Sequence, residues 1–415
     1  MAFDVIVVGA GNAGFSAAVS ARQKGARVLV LEAAPEDEAG GNSRYTAGAI
    51  RFAFDGVDDV RAVCPDITDE EAKNTDFGSY SEDQYFDDMF RVTQYRADPD
   101  LVEVLVRNSF DTMKWLSETG IRFQPSYGRQ AFKLPDGRFQ FWGGLSLEAW
   151  GGGPGLVDTW FKLAEKLGID VWYQARGLEL LFDGFAVKGV KVRRPNEIID
   201  VASRAVVLAA GGFQSSPEMR TRYLGPGWDI AKVRGTRYNT GGGIEMALKV
   251  GAATAGNWSG CHAVGWDMNA PEFGDLAVGD NFQKHSYPFG IMVNANGERF
   301  VDEGADFRNY TYAKYGAVIL NQPGSFAWQV FDQKVLHLVL DEYRIIENIE
   351  RVAGTSAGAI AAAILSMRLS IPETQDLFNS LELSRIPQSS MKSRRWKRPR
   401  FAEEENYRRF LTRYG

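Results

Sequence analysis

The first 32 positions alternate between apolar runs and a segment of helical periodicity, a pattern that predicts a βαβ unit. Phe3–Val8 and Arg27–Leu31 are short apolar runs rich in β-branched residues, as in strands buried on both faces of a parallel sheet. Between them, Phe15–Lys24 has small and apolar residues at helical spacing, and Gly25 ends the predicted helix. The second strand closes on Glu32. The pattern therefore predicts an α/β fold.

Periodicity predicts further helices and strands as far as residue 250, after which the composition of the chain changes. Helices are predicted over Pro65–Lys73, Ser81–Thr93, Asp98–Thr119, Gly155–Leu167 and Ile244–Val250. Strands are predicted over Asp170–Tyr173, Gly177–Phe182, Phe185–Arg193 and Ala205–Ala209. From about Trp258 to Phe307, aromatic residues, prolines and turns dominate, which predicts a separate α+β capping (lid) domain.

The composition is that of an ordinary folded protein and removes several classes of function. Of 415 residues, 45% are hydrophobic and 24% are charged, and the net charge of −6 gives no general attraction to nucleic acid. Cys64 and Cys261 are too few for a disulfide framework or a thiolate metal site. No apolar run reaches the ~18–20 residues of a membrane span, and the first residues lack the basic start of a signal peptide. We therefore expect a cytoplasmic protein with no transmembrane segment, no metal centre and no nucleic-acid partner.

The turn between the first strand and the first helix carries the motif GAGNAG at residues 9–14. In a dinucleotide-binding βαβ unit the first glycine permits a tight turn, the second lets the backbone reach the pyrophosphate, and the third lets helix and strand pack closely. Gly9, Gly11 and Gly14 are predicted to take these roles, with Ala13 beside them at a helix N-terminus that favours phosphate. Glu32 is predicted to accept hydrogen bonds from an adenosine ribose. A glycine turn without a ligand is the alternative.

Two later segments favour FAD over NAD as the dinucleotide. Asn42 and Ser43 follow a Gly-Gly pair, and Ala47-Gly48 follows shortly after, which predicts a second loop where backbone approaches a ligand. The run AVVLAAGGF at residues 205–213 predicts a strand that ends in a glycine turn at Ala210 and Gly211. Both segments are similar to those of flavoproteins with two dinucleotide-binding motifs, and an NAD dehydrogenase has no use for them.

With these motifs, residues 3 to about 343 resemble the soluble fumarate reductase/succinate dehydrogenase flavoprotein family. The supporting stretches are Gly40–Phe54, Trp258–Asp267 and Gly290–Tyr315, and the last matches the family pattern "VN..G.RF..E....R". Within the family, the likeness is to members that oxidise tricarballylate to cis-aconitate. The resemblance implies a Rossmann-like FAD-binding domain with a capping domain, and dehydrogenation of a small polycarboxylate by hydride transfer to flavin N5. Electrons would then pass to a separate membrane iron–sulfur protein.

The resemblance also assigns the groups that would act on the substrate. Arg308 matches the family arginine that transfers a proton, with one extra residue between it and Glu303, and a surface ion pair is the alternative. The pKa of a free arginine lies above ~12, so a neighbouring carboxylate, Asp302, Glu303 or Asp306, would have to assist proton removal. Arg299 is expected to form a structural ion pair.

His262 matches a family histidine that binds substrate at the start of the lid, and it is predicted to be catalytic together with Arg308. A purely structural histidine is the alternative. Three further residues are candidate substrate ligands. His285 and Tyr287 follow in the same lid, and Arg237 is a further candidate for a carboxylate clamp.

Three departures from the family pattern bear on the cofactor. Asn42 stands where membrane-bound relatives attach FAD to a histidine, which implies non-covalent FAD. The family sequence TGDG reads TGGG at residues 240–243, without the aspartate that helps to hold FAD. Residues 344–415 do not match the segment with which family chains return to the FAD-binding domain.

From about Val339 onward the sequence is instead similar to an internal piece of a patatin-like phospholipase. The motif GTSAG at residues 354–358 places Ser356 where that family has its nucleophile, but the upstream oxyanion loop and the downstream base are not recognisable. We therefore predict an FAD-binding domain over residues 1–256, a partial capping domain over 257–340 and a patatin-like α/β fragment over 341–415. The hypothesis is a fusion of two incomplete genes. Lipid acyl hydrolysis, or flavin binding without turnover, is the alternative function.

Overall fold

The structure, a computed structural model, describes residues 3–340 and Tyr343. These residues form two compact units. Unit 1 comprises the chain up to Cys261 together with Asn269–Phe282, and unit 2 comprises His262–Met268 and the chain from Gln283 onward. This division differs from a single boundary at 256/257, because residues 269–282 return to unit 1. The predicted patatin-like fragment lies outside the described residues, apart from Tyr343.

The helices and strands of the described residues have the following bounds. The helices are α1 Asn12–Gln23, α2 Val57–Val63, α3 Asp69–Asn74, α4 Glu82–Val92, α5 Pro99–Arg107, α6 Ser109–Thr119, α7 Tyr127–Gln130, α8 Gly152–Leu167, α9 Pro217–Leu224, α10 Gly242–Lys249 and α11 Arg308–Leu320. The strands are β1 Phe3–Val8, β2 Val28–Leu31, β3 Thr75–Asp76, β4 Phe123–Pro125, β5 Ala131–Lys133, β6 Phe139–Phe141, β7 Leu147–Ala149, β8 Asp170–Trp172, β9 Arg176–Phe182, β10 Val187–Arg194, β11 Glu197–Leu208, β12 Gly290–Val293 and β13 Trp328–Phe331.

Unit 1 is organised by a six-stranded sheet with the order β8-β2-β1-β11-β10-β9. The four strands β8, β2, β1 and β11 run parallel, whereas β10 pairs antiparallel with both β11 and β9. Val5 of β1 stands opposite Val28 of β2 on one side and Ala205 of β11 on the other. This register brings the carboxyl ends of three parallel strands to one sheet edge, where ligands of open α/β sheets bind.

The predicted βαβ unit is present, and burial explains its sequence. Ile6 and Val7 in β1 have no exposed surface, and all four residues of β2 are buried. Phe15 of α1 is also fully buried and stacks on Trp160 of α8, with ring centroids 6.3 Å apart. Each such side chain contributes roughly 1.5–3 kcal/mol relative to an exposed one, so the apolar runs stabilise the packing of β1, α1 and β2 against one another.

The helix predicted over Asp98–Thr119 is wrong, because the structure has two helices there. Asn108 ends α5 and precedes α6, with φ −98° and ψ 0°. The Ser109 hydroxyl donates to the carbonyl of Val106 at 2.8 Å and accepts from the amide of Ala53 at 3.0 Å. This side chain therefore replaces helical hydrogen bonding with a contact to a distant segment.

The start of the helix predicted over Pro65–Lys73 is also wrong, since α3 begins at Asp69. Thr68 caps the helix by accepting from the amide of Glu71, whose carboxylate accepts in return from the amide of Thr68 at 2.9 Å. This reciprocal arrangement is a capping box, which fixes a helix start at the following residue.

Residues 269–282 are held to unit 1 by backbone and charged contacts. The amide of Val233 donates to the carbonyl of Glu272, and the amide of Gly274 to that of Gly235, both at 2.8 Å. The buried carboxylate of Asp280 pairs with Arg234 and, at 3.2 Å, with Arg129. These contacts explain why the segment belongs with the sheet unit.

Unit 2 contains the antiparallel pair β12–β13, with Gly290 opposite Phe331, and the helix α11. Its core is formed by Tyr287, Met292 and Tyr315, with Phe300 packed against them. Across both units, none of the helices in residues 3–340 is long and apolar enough to cross a membrane.

Candidate functional site

The GAGNAG turn leaves no room for side chains at its first and last glycines. Gly9 has φ +110°, and a Cβ there would overlap the carbonyl oxygen of Ala209 and lie 2.9 Å from Cα of Ala210. A Cβ on Gly14 would overlap the carbonyl oxygen of Gly9. The motif therefore packs β1, α1 and the end of β11 against one another by backbone contact, as predicted for Gly9 and Gly14.

The N-terminus of α1 lies at the glycine turn and has no side-chain cap. Gly11 occupies the N-cap position and has no side chain to cap the first turn. The amide of Asn12 donates to Ser43 Oγ at 2.9 Å, and Ala13 in the same turn is exposed. The predicted residues Gly11, Ala13 and Ser43 are thus brought together at a helix end whose positive dipole favours phosphate.

Glu32 lies buried at the end of β2, with 5% of its surface exposed. Its carboxylate accepts from the amide of Ala34 at 2.8 Å and from the amide of Ala10 at 3.3 Å. Burial raises the pKa of Glu32, and the backbone amides offset part of this effect. The amide of Ala10 therefore links the carboxylate to the glycine turn.

The second predicted loop lies against the same helix end. Residues Gly41–Tyr45 form a 3-10 turn, in which Asn42 Oδ1 accepts from the amide of Thr236 at 3.1 Å. Gly48 has φ +75°, and a Cβ there would lie 2.7 Å from the carbonyl carbon of Gly152. The carbonyl of Ala47 also lies beside Gly152. Ala47 and Gly48 thus pack against the start of α8.

The glycine turn after β11 contacts a third glycine-rich segment, residues 240–243. In the sequence, this segment stands out only as a departure from the family pattern. A Cβ on Gly211 would lie 2.5 Å from Nδ2 of the buried Asn239. The amide of Gly241 donates to the carbonyl of Gly212 at 3.1 Å, and a Cβ on Gly243 would lie 3.1 Å from Cβ of Ala210. The N-terminus of α10 is therefore drawn to the turn at Ala210 and Gly211.

These features fit a dinucleotide that carries a redox-active ring system in addition to its adenine. An uncapped helix end, a buried acid and two further glycine turns surround the carboxyl edge of the parallel strands in unit 1. Glycines without room for a Cβ keep this edge lined by backbone, which can approach a ligand closely. The residues present therefore fit FAD.

In unit 2, the predicted residues Arg308 and Tyr287 meet at the first turn of α11. Arg308 is the first residue of the helix, is partly buried, and donates from Nη2 to Asn309 Oδ1 at 3.4 Å. The buried Tyr287 hydroxyl hydrogen-bonds to the hydroxyl of Thr311 and lies 3.5 Å from the carbonyl oxygen of Arg308. Burial raises the pKa of Tyr287 far above its ordinary value, so its hydroxyl stays protonated.

Both predicted histidines contact Tyr312, a residue that sequence reasoning missed. The ring centroid of His262 lies 5.1 Å from that of Tyr312, and the centroid of His285 lies 4.9 Å from it. Both pairs are edge-to-face, with interplanar angles of 73° and 86°. The available signal was the spacing of four between Arg308 and Tyr312, which places both on one helix face. Unit 2 thus gathers all four of its predicted site residues around the start of α11.

The acids near Arg308 have different surroundings. Glu303 is buried, accepts from the amide of Met292 and pairs with Arg299, which donates from Nε at 2.8 Å. The predicted structural ion pair of Arg299 is present, and it occupies the Glu303 carboxylate. Asp302 and Asp306 are exposed.

Arg237 belongs to unit 1, where its Nε lies 3.5 Å from a carboxylate oxygen of Glu38 and its guanidinium lies 5.8 Å from the ring centroid of Phe273. Its side chain is 59% exposed. The residue before it, Thr236, donates its amide to Asn42, so Arg237 follows directly after a contact with the second predicted loop. Ser356 lies outside the described residues.

Comparison with known sequences identifies the family. The sequence model of the FAD binding domain family matches residues 4–353. The chain belongs to this family. FAD is therefore its cofactor, and the predictions of an α/β flavoprotein fold and of FAD are confirmed.

Two curated relatives extend the comparison. The probable fumarate reductase Ifc3 of Shewanella frigidimarina is 29% identical over 335 residues, which cover 80% of this chain and 50% of the relative. The vinyl phenol reductase of Lactiplantibacillus plantarum is 29% identical over 352 residues, which cover 81% of this chain and 62% of the relative. The chain thus spans between half and two thirds of the length of these relatives. The resemblance to fumarate reductase flavoproteins is confirmed.

A solved structure gives the same fold. The open conformation of a flavocytochrome c3 fumarate reductase matches with a TM-score of 0.60 and 24% sequence identity, over 90% of this chain and 58% of that chain. A second family model, that of patatin-like phospholipase, matches residues 324–414. It overlaps the FAD binding domain match by residues 324–353, so the second resemblance is also found by comparison.

Replacing Glu32 with glutamine is expected to weaken the binding of FAD to the apoprotein. A hydrogen bond to a charged group contributes ~1.5–3 kcal/mol, so the dissociation constant should rise about 10- to 100-fold. Fluorescence titration of the apoprotein with FAD measures this change. Glu36→Gln, at an exposed position four residues later, is the matched control and should bind FAD like the wild type. Equal affinities of the wild type and Glu32→Gln would remove the ribose assignment.

The raised pKa of Glu32 also sets a pH dependence for the apoprotein. Because the pKa of Glu32 is raised in the folded protein, the protonated form of this carboxyl favours folding. This contribution to the free energy of unfolding is fully present below the pKa of Glu32 in the unfolded chain, ~4.3, and is lost as the pH rises through its raised pKa in the folded protein. In that window, the melting temperature of the wild type should fall relative to that of Glu32→Gln, which does not titrate. Thermal denaturation at a series of pH values measures the difference.

Proposed function

We propose that the chain is an FAD-dependent oxidoreductase that interconverts a carbon–carbon single and double bond beside a carboxylate. The observation that carries the proposal is the group at the start of α11, where Arg308, Tyr287, His262 and His285 come together in unit 2. A guanidinium together with the N–H groups of two imidazoles suits a carboxylate-bearing substrate. The names of both curated relatives describe reduction of a compound with a carbon–carbon double bond, which supports the reaction class. Fumarate carries carboxylates beside that bond, whereas vinyl phenol carries none.

In this proposal the residues of the chain have separate tasks. Bound FAD supplies two-electron chemistry by accepting or donating a hydride. Gly11, Ala13 and Ser43 hold its pyrophosphate end, and Glu32 holds the ribose. His262 and His285 bind substrate carboxylates, and the Tyr287 hydroxyl, which stays protonated, fixes the backbone at Arg308.

Arg308 is the proposed proton-transfer residue. Its side chain projects from the first turn of α11. Its guanidinium donates a long hydrogen bond, 3.4 Å, to the neighbouring Asn309. Glu303 is already occupied by Arg299 and Met292, so it is a poor candidate for assisting proton removal. Asp302, which is exposed and lies 3.9 Å from Arg299, and the exposed Asp306 remain the proposed assistants.

The finer proposal is the oxidation of tricarballylate to cis-aconitate with non-covalent FAD, and transfer of the electrons to a separate membrane iron–sulfur protein. Asn42 supports the non-covalent cofactor, because it offers no histidine ring for attachment. Three carboxylates on the substrate would match the several donors of Arg308, His262 and His285 better than one carboxylate does.

An anaerobic titration tests the proposal. The purified chain, reconstituted with FAD, should lose its oxidised flavin absorbance when tricarballylate is added. The chemically reduced chain should regain that absorbance with cis-aconitate or fumarate. If the bound flavin is neither reduced by tricarballylate nor reoxidised by cis-aconitate or fumarate, the chain binds flavin without turnover. A lipid acyl hydrolase, the other alternative, would instead release fatty acid from a phospholipid and lose that activity in Ser356→Ala.

A further inference from the structure

Tyr312 stands between the two histidines that the proposed function uses. Its ring makes edge-to-face contacts with His262 at 5.1 Å and with His285 at 4.9 Å, and these histidines come from segments of unit 2 that are 23 positions apart in the sequence. Edge-to-face geometry is the preferred arrangement of aromatic pairs, since the positive ring edge meets the negative ring face. One side chain therefore contacts and helps to orient two imidazoles.

The backbone that carries Tyr312 is itself fixed. The preceding residue, Thr311, is fully buried and hydrogen-bonds to the buried hydroxyl of Tyr287. Tyr312 lies four positions after Arg308 on α11, so the two side chains share a helix face. A rotation or shift of the first helical turn would displace Tyr312 and Arg308 together.

We propose that Tyr312 is a positioning residue that holds the imidazoles of His262 and His285 in register with Arg308 for carboxylate binding. This inference rests on the proposed function, because that function makes the two histidines substrate ligands. Without the ring, each imidazole would lose one of the contacts that orient it, and any order that substrate binding must then restore lowers affinity. The hydroxyl of Tyr312 has no part in the proposal, so phenylalanine should serve equally well.

The first measurement is independent of turnover. The chain has three histidines, so the ring signals of His262, His285 and His337 can be resolved by NMR. In Tyr312→Leu the signals of His262 and His285 should both shift, because the ring current of the tyrosine is lost. The signal of His337, which lies in the Gln333–Leu338 turn, should stay in place. Tyr312→Phe should keep the wild-type positions.

The second measurement is carboxylate affinity, with fumarate and tricarballylate as the probes for the FAD-loaded chain. Tyr312→Leu should raise the dissociation constant about tenfold, and Tyr312→Phe should restore it to within about twofold of the wild-type value. Tyr310→Leu is the matched control on the same helix, because Tyr310 contacts the ring of Phe307 and lies off the shared face. It should bind both probes like the wild type.

The outcomes separate this inference from the proposed function. A Tyr312→Leu variant that binds both probes as tightly as the wild type overturns the positioning role. So does a wild-type chain that binds neither probe, or a Phe variant as weak as the Leu variant. If the wild type binds the probes and depends on the Tyr312 ring but shows no flavin reduction or oxidation, the positioning role stands and the proposed redox function fails.

Discussion

The Gly14→Ala variant is expected to lose FAD binding and a large part of its folding stability. A methyl group at this position would overlap the carbonyl oxygen of Gly9 and lie 3.0 Å from its carbonyl carbon. Both atoms are backbone, so the clash cannot be relieved by rotating a side chain. Overpacking of this kind costs ~1–3 kcal/mol or more, and here any relief moves α1 away from β1 and the helix end away from the phosphate.

The measurement is the flavin content of the purified variant together with its thermal midpoint as apoprotein. Gly128→Ala is the matched control, because a Cβ at Gly128 meets no atom within 4 Å and its backbone is helical. The control should keep the wild-type midpoint and flavin content. A Gly14→Ala protein that binds FAD stoichiometrically would show that the helix can shift without loss of the phosphate site.

The success of the motif at residues 9–14 has a physical reason. Gly9 also meets the backbone of Ala209 and Ala210, about 200 positions later, but the turn and the Gly9–Gly14 contact form between β1 and α1. Such local contacts leave a clear sequence pattern. Glu32 could be placed at the end of β2 for the same reason. Its backbone amide partners, among them Ala34 and Ala10, could not be predicted, because they depend on how the loop after β2 folds back to the turn.

The errors in helix boundaries have a different cause. The break at Asn108 follows from the hydrogen bond between Ser109 and Ala53, residues 56 positions apart. No periodicity in residues 98–119 contains that information, so helical propensity was overridden by a tertiary contact. The late start of α3 is different, because Thr68 and Glu71 have the spacing of a capping box and were a readable signal.

The site residues around the start of α11 could be predicted only in part. The resemblance to the family supplied Arg308 and His262, and only the structure shows that His285 and Tyr287 come to the same helical turn. Tyr312 was missed because an aromatic residue in a helix is most often part of a core, and its two ring contacts depend on distant segments. A readable signal existed in its spacing from Arg308, but spacing alone does not indicate which residues the ring will contact.

Replacing Arg308 with alanine is expected to abolish turnover while FAD remains bound. A positioned proton-transfer group contributes roughly 10²–10⁴-fold to a rate, so flavin reduction by tricarballylate, or oxidation by fumarate, should slow by at least ~100-fold. The FAD-binding residues lie in unit 1 and Arg308 lies in unit 2, so flavin content should stay at the wild-type level. Arg308→Lys keeps the charge but not the geometry, and it should bind carboxylates while remaining slow. Anaerobic stopped-flow absorbance gives both the rate and the binding constant.

Arg299 provides the control, because it is an arginine nine positions earlier with a structural partner. Arg299→Ala leaves the buried Glu303 without its ion pair and should cost about 3 kcal/mol, the lower end of the range for a buried pair, since Arg299 is 43% exposed. Arg308→Ala should leave the thermal midpoint within about 2 °C of the wild type, because its side chain makes a weak local contact. A stable, flavin-loaded Arg308→Ala protein with wild-type rates would remove the arginine from proton transfer and assign that step to another group of unit 2.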